Sequence, residues 1–252
     1  MMTGQAALVA AIIAFGAASA VAAQDGTFRM HAPGVDSTVV SEVHAHLVRA
    51  EQRIGATLGA FPDTVSVRVY PSRATFSVAL KEAWGIPDTA CWMVGAADDH
   101  VLYLLSPAVW GAEACEHDGR DAGHVGMLVA HEAVHVFHGQ SNPSDDVGLL
   151  EDIGWFIEGL ATYVSGQLGT EHADRATDAI AQGAAPSRLA EAWSGPYRYG
   201  VSGSMVAFID DVWGRATLRD LLTATSQSEL LARLDLTETG FLHRWRGWVT
   251  QR

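Results

Sequence analysis

The segment LVAHEAVHVFHG, residues 128 to 139, places three histidines and a glutamate within eight positions of an otherwise apolar stretch. On a helix, His131 and His135 stand at i and i+4, so both imidazoles project from one face a turn apart and can reach one metal ion. Glu132 follows the first histidine directly. It is rotated away from such an ion, yet close enough to reach a water bound there. Zinc lowers the pKa of that water to about 7, the carboxylate can take its proton as general base, and the water attacks a carbonyl polarised by the metal. The competing reading is a helix of core histidines, but two histidines and a glutamate buried without partners are costly.

A catalytic zinc needs a third protein ligand. His138 is i+7 from His131 but too far along the axis of a straight helix. It is expected to cap the last carbonyls before Gly139. His124, two turns earlier, fits no better. An extended motif with a third histidine six positions after His135 fails at Ser141. Glu158 is the stronger candidate. It lies 23 residues after His135 in WFIEGLATYV, among apolar neighbours, and the loop QSNPSDDVGLL is long enough to bring the next helix back antiparallel. Gly159 and Ala161 are expected to let the two helices approach closely. Glu151 and Asp152 precede the helix and read as capping or loop residues.

The elements that must position these groups follow from periodicity. Residues 36–59 read as an amphipathic helix, TVSVRVY as a half-buried strand, and PSRATFSVALKEAW as a helix capped by Ser72. HVLYLLSP reads as a second strand closed by Pro107, and residues 106–123 as loop. The histidine helix starts at Asp121 and stops at Gly139, and a further helix starts after Gly154. Helices are expected at 200–213, 215–224 and 236–249. The fold class is therefore α+β: a mixed N-terminal lobe with a small sheet, a mainly helical C-terminal lobe, and the active-site helix between them.

Composition narrows the class. Of 252 residues, 48% are hydrophobic and 18% charged, which suits a globular core, and the net charge of −13 leaves no basic footprint for nucleic acid. Residues 6 to 23 form an unbroken apolar run ending in small residues, which reads as a signal peptide over residues 1–23 with cleavage before Gln24. A retained run of that length would instead anchor the chain in a membrane. The remainder, 24–252, is expected to be one domain, exported to the periplasm or the extracellular space. The two cysteines, Cys91 and Cys115, can pair there, closing a loop of about 25 residues and stabilising the fold by about 3 kcal/mol. Otherwise they are free thiols.

HEAVH followed by WFIEGLATYV resembles the gluzincin metallopeptidases, and YRYGVSGSMVAFIDDVWG, LRDLL and GFLHRWRGWV resemble the C-terminal half of the peptidase MA-like group. The resemblance spans about residues 60 to 250, with its specific part confined to about 30 of them. It implies a zincin-like fold, one Zn²⁺ held by His131, His135 and Glu158, and Glu132 as base. It also implies a sheet edge, with HVLYLLS the candidate, that pairs with an extended peptide. Some gluzincins carry an Asp four positions after the ligand glutamate to orient the first histidine. Thr162 stands there, and its hydroxyl is expected to accept the imidazole N–H less strongly. Tyr197 and Tyr199 are candidates to stabilise the oxyanion, Tyr199 being preferred because it precedes Gly200 at a helix start; aromatic packing is their other reading. The function expected is cleavage of a peptide or protein substrate. A zinc-binding, catalytically inactive peptide-recognition module and a metal-free structural protein are the alternatives.

Overall fold

A computed structural model describes residues 26–86, 88–170 and 172–252. The apolar run at residues 6 to 23 lies outside them. Among the described residues no helix is long and apolar enough to cross a membrane.

The chain is α+β, with a small mixed sheet and a majority of helix. Strand β1 (Phe28–His31) leads into helix α1 (Ser37–Thr57), whose N-cap Asp36 accepts a hydrogen bond from the Thr38 amide. Val43, Leu47, Ala50 and Ile54 form its buried stripe at helical spacing. Strand β2 (Val65–Tyr70) buries Val65, Val67 and Val69, as its alternation requires. Helix α2 (Arg73–Trp84) starts from the Ser72 cap and stops at Gly85, which takes a left-handed φ of 70°. Strands β3 (Gly95–Ala97) and β4 (Val101–Leu105) complete a sheet of order β1-β2-β4-β3. The first two pairings are parallel and β3–β4 is antiparallel.

That order corrects one expectation. HVLYLLS, here β4, is internal to the sheet, and Leu102, Tyr103, Leu104 and Leu105 are all buried. The edges are β1 and β3, and the Gly-Ala-Ala of β3 carries no β-branched or aromatic residue to mark it as a strand. Residues 106–123 are likewise not all loop: a 3₁₀ turn at Pro107–Val109 runs into helix α3 (Trp110–Glu113), around a fully buried Trp110 whose indole donates to the Leu105 carbonyl.

Helix α4 (Ala122–Ser141) is capped by the Asp121 carboxylate, which accepts from the Gly123 and His124 amides. It runs two residues past Gly139 and packs against α1, β3 and α5 (Gly154–Ser165). Helix α6 (Arg175–Ala181) precedes α7 (Arg198–Leu221), which breaks at Gly214, where φ is 83°; that glycine separates the two helices expected at 200–213 and 215–224. Helices α8 (Gln227–Arg233) and α9 (Glu238–Val249) close the chain. One continuous apolar core joins the sheet, α1, α4, α5, α7 and α9. Gly159 does provide close approach, but to a different helix: a Cβ there would collide with the Ser202 carbonyl of α7, not with α4.

Candidate metal centre

Three donor atoms converge where α4 and α5 face each other. The Nε2 atoms of His131 and His135 are 3.1 Å apart, and Glu158 Oε2 lies 3.4 Å from the first and 3.8 Å from the second. Donors about 2.0–2.1 Å from a tetrahedral ion stand about 3.3 Å from one another, so the spacing matches a shared cation. Two imidazole nitrogens and a carboxylate oxygen form a group that could hold a metal ion. The i, i+4 pair faces the cleft because Val129, Ala130, Ala133, Val134 and Val136 commit the rest of α4 to the core. Glu158 arrives from α5, whose neighbouring Trp155, Phe156, Ile157 and Leu160 are buried.

The electrostatics agree with that arrangement. Burial raises the Glu158 carboxyl, but the His135 and His131 imidazoles overcome it and hold the net shift below the ordinary carboxylate range. At His131 burial favours the neutral ring, and contact with Glu158 reverses the balance upward. His135 is driven down to about 4, chiefly by burial.

Glu132 is half-buried beside the triad and bonded to neither histidine. Burial and the Glu158 charge raise its carboxyl to about 7 against the opposing pull of His131. The β3 edge presses on it: a Cβ on Gly95 would come within 2.6 Å of Glu132 Cγ and 2.9 Å of Oε1. Tyr199, at the start of α7, places its ring centroid 6.3 Å from that of His131. Burial and the Glu158 charge hold its phenol above the ordinary range, with Arg198 opposing them. Tyr197 is directed elsewhere, its hydroxyl donating to Gln182 Oε1 at 2.8 Å.

Two sequence expectations give way here. His138 does not cap its own helix; it is fully buried and its Nε2 donates to the Leu222 carbonyl at 3.2 Å, at the end of α7. Asn142 donates to the same carbonyl and to Ala224. Nor does Thr162 receive the His131 N–H. Its hydroxyl is buried without a hydrogen-bond partner among the described residues, and His131 Nδ1 instead lies 2.7 Å from Gln167 Oε1. Gln167 was missed because it follows α5 by a turn and belongs to no spacing pattern. His124 sits away from the triad, 2.9 Å from His117, which also bonds the Trp92 carbonyl at 2.8 Å. Asp152 accepts from the Gln227 amide at the start of α8.

Cys91 and Cys115 form a disulfide with a Cα–Cα distance of 5.3 Å. The Arg73 guanidinium binds the carbonyls of Ala90, Cys91, Met93 and Glu113, clamping both flanks of that bridge. The segment so held carries Trp92, Met93 and Gly95 into the wall of the cleft. The cleft has two compartments, of about 1060 Å³ and 530 Å³, and His131, Glu132, Arg198 and Tyr199 line both. These four side chains thus lie where the two compartments meet.

No protein-family profile and no curated protein matches the chain.

Proposed function

We propose that this protein is an exported, zinc-dependent metallopeptidase of the gluzincin type with a zincin-like fold, hydrolysing peptide bonds in a peptide or protein substrate. One observation carries the reading: three metal-competent donors within 3.8 Å of one another, with a separate half-buried carboxylate beside them whose pKa of about 7 suits a general base. His131, His135 and Glu158 would hold the ion. Zinc, when bound there, supplies an acidified water and polarises the substrate carbonyl.

The remaining work falls to side chains and backbone. Glu132 removes the proton from the attacking water and can return it to the leaving amine. The outer edge of β3, half-buried and paired on one side only, offers its backbone to an extended peptide, with Gly95–Ala97 alongside the cleft. The Tyr199 hydroxyl, kept protonated by its raised pKa, donates to the carbonyl oxygen as negative charge develops there. Trp84, Trp92 and Trp193 give the larger compartment an aromatic lining for substrate side chains. The disulfide suits the oxidising compartment that export would reach.

The test is incubation of the zinc-loaded protein with a diverse peptide mixture, read by mass spectrometry beside Glu132→Gln. Cuts present in the wild type and absent from the variant support the reading. Zinc bound with no cut in any peptide would replace it with a peptide-recognition module of the same architecture.

A further inference from the structure

We infer that Gln167 is the positioning residue of the centre: its neutral amide fixes the tautomer and ring plane of His131 and so sets the affinity for the metal. The inference rests on the metal-site reading above. Gln167 Oε1 can only accept, so the 2.7 Å contact places a proton on His131 Nδ1 and leaves the Nε2 lone pair facing His135 and Glu158. The Ser165 hydroxyl lies 3.2 Å from the same Oε1 and 3.2 Å from the Thr162 carbonyl, within reach to donate to either.

The backbone beneath Gln167 is held by two features. Helix α5, which carries Glu158, ends at Gly166 with φ of 90°, and the next residue is Gln167. A Cβ at Gly166 would collide with the Arg53 guanidinium, which reaches across from α1 to donate to the Ser165 carbonyl at 2.7 Å. One helix and the turn that ends it therefore supply both a metal ligand and the group that orients another. Thr162 cannot take that role, because its methyl is packed against α7, where a Cβ on Gly203 would come within 2.9 Å of it.

The chemical identity of the acceptor has a consequence. A carboxylate on Nδ1–H would push electron density through the ring onto the metal, whereas an amide oxygen pushes less. The centre then keeps Glu158 as its one anionic ligand and stays more electrophilic towards a carbonyl.

The experiment measures zinc affinity by chelator competition for the full mature chain, Gln167→Leu and Gln167→Glu, with the melting temperature of each metal-free protein alongside. Leu should weaken zinc binding about 10–100-fold at an unchanged melting temperature, and Glu should bind at least as tightly as wild type. In the zinc-loaded wild type, the His131 Nδ1–H proton should appear by NMR as slowly exchanging, and it should exchange fast in the Leu variant. The NMR signal decides the matter should Leu impair folding: a His131 ring proton on Nε2 overturns the assignment. A folded Leu variant that binds zinc within about twofold of wild type overturns it equally. Zinc bound without peptide cleavage defeats only the peptidase reading, since the affinity series needs no turnover; a wild type that binds no zinc defeats both.

Discussion

Neighbouring turns of α4 carry histidines in opposite roles, one at the cleft and one in the core. His135, half-buried, and His138, fully buried, are three residues apart, and both are pushed down to about 4 chiefly by burial. His135 faces the cleft, where its Nε2 meets another imidazole and a carboxylate. His138 faces the core, where its Nε2 meets a backbone carbonyl and its Nδ1 has no partner among the described residues. A neutral ring serves both places, but only the first surrounds it with donors that a cation could share. A depressed pKa does not distinguish a candidate ligand from a structural histidine; the identity of the atoms opposite the nitrogen does.

The largest expected effect lies on the cleft face. Glu132→Gln keeps the volume and removes the base, so cleavage should fall by about 10²–10⁴-fold while zinc stays bound. Equal loss of zinc would show that Glu132 belongs to the ligand set, which would redraw the division between base and ligands.

The core face should be visible as a dependence of stability on pH. The folded pKa of His138 is depressed from 6.5 to about 4, so its contribution is complete above pH 6.5 and is lost as pH falls toward 4. The gap corresponds to about 3 kcal/mol in the metal-free protein. His138→Gln keeps a donor for the Leu222 carbonyl and cannot be protonated. Denaturant titrations from pH 7 to 4 should show a smaller loss of stability in that variant, and an identical loss in both proteins would remove His138 from the account.

A smaller effect should follow from the contact between sheet and base. Gly95→Ala must displace the Glu132 carboxylate or bend β3. Turnover should drop about 10–100-fold with zinc stoichiometry unchanged, as expected for a reacting group moved by less than about 1 Å. Turnover at the wild-type level would show that the strand gives way at no cost.

How far the site could be read in advance depended on what each residue's role rests on. His131 and His135 were legible because i, i+4 spacing alone sets their common face, and Glu158 because a polar group stands within a run of buried aromatics and aliphatics. His138 was misassigned because its partner, Leu222, is 84 residues distant and joined to it only by packing. Gln167 was invisible for a related reason: the bond to His131 spans 36 residues and depends on the left-handed turn at Gly166. In the fold, β2 declared itself by alternating valines, while β3 consists of three small residues that become a strand only by pairing with β4. Cysteine count anticipated the disulfide, but nothing local marked Arg73 as the clamp on both its flanks.

The central claim is that the cleft histidines of α4, and not the core histidine one turn further on, hold one divalent cation. The most direct measurement is zinc per chain by elemental mass spectrometry after dialysis, on wild type, His135→Ala and His138→Ala. One zinc per chain is expected in the wild type and in folded His138→Ala, and less than one in His135→Ala. Zinc retained in full by His135→Ala, or absent from the wild type, would contradict the account.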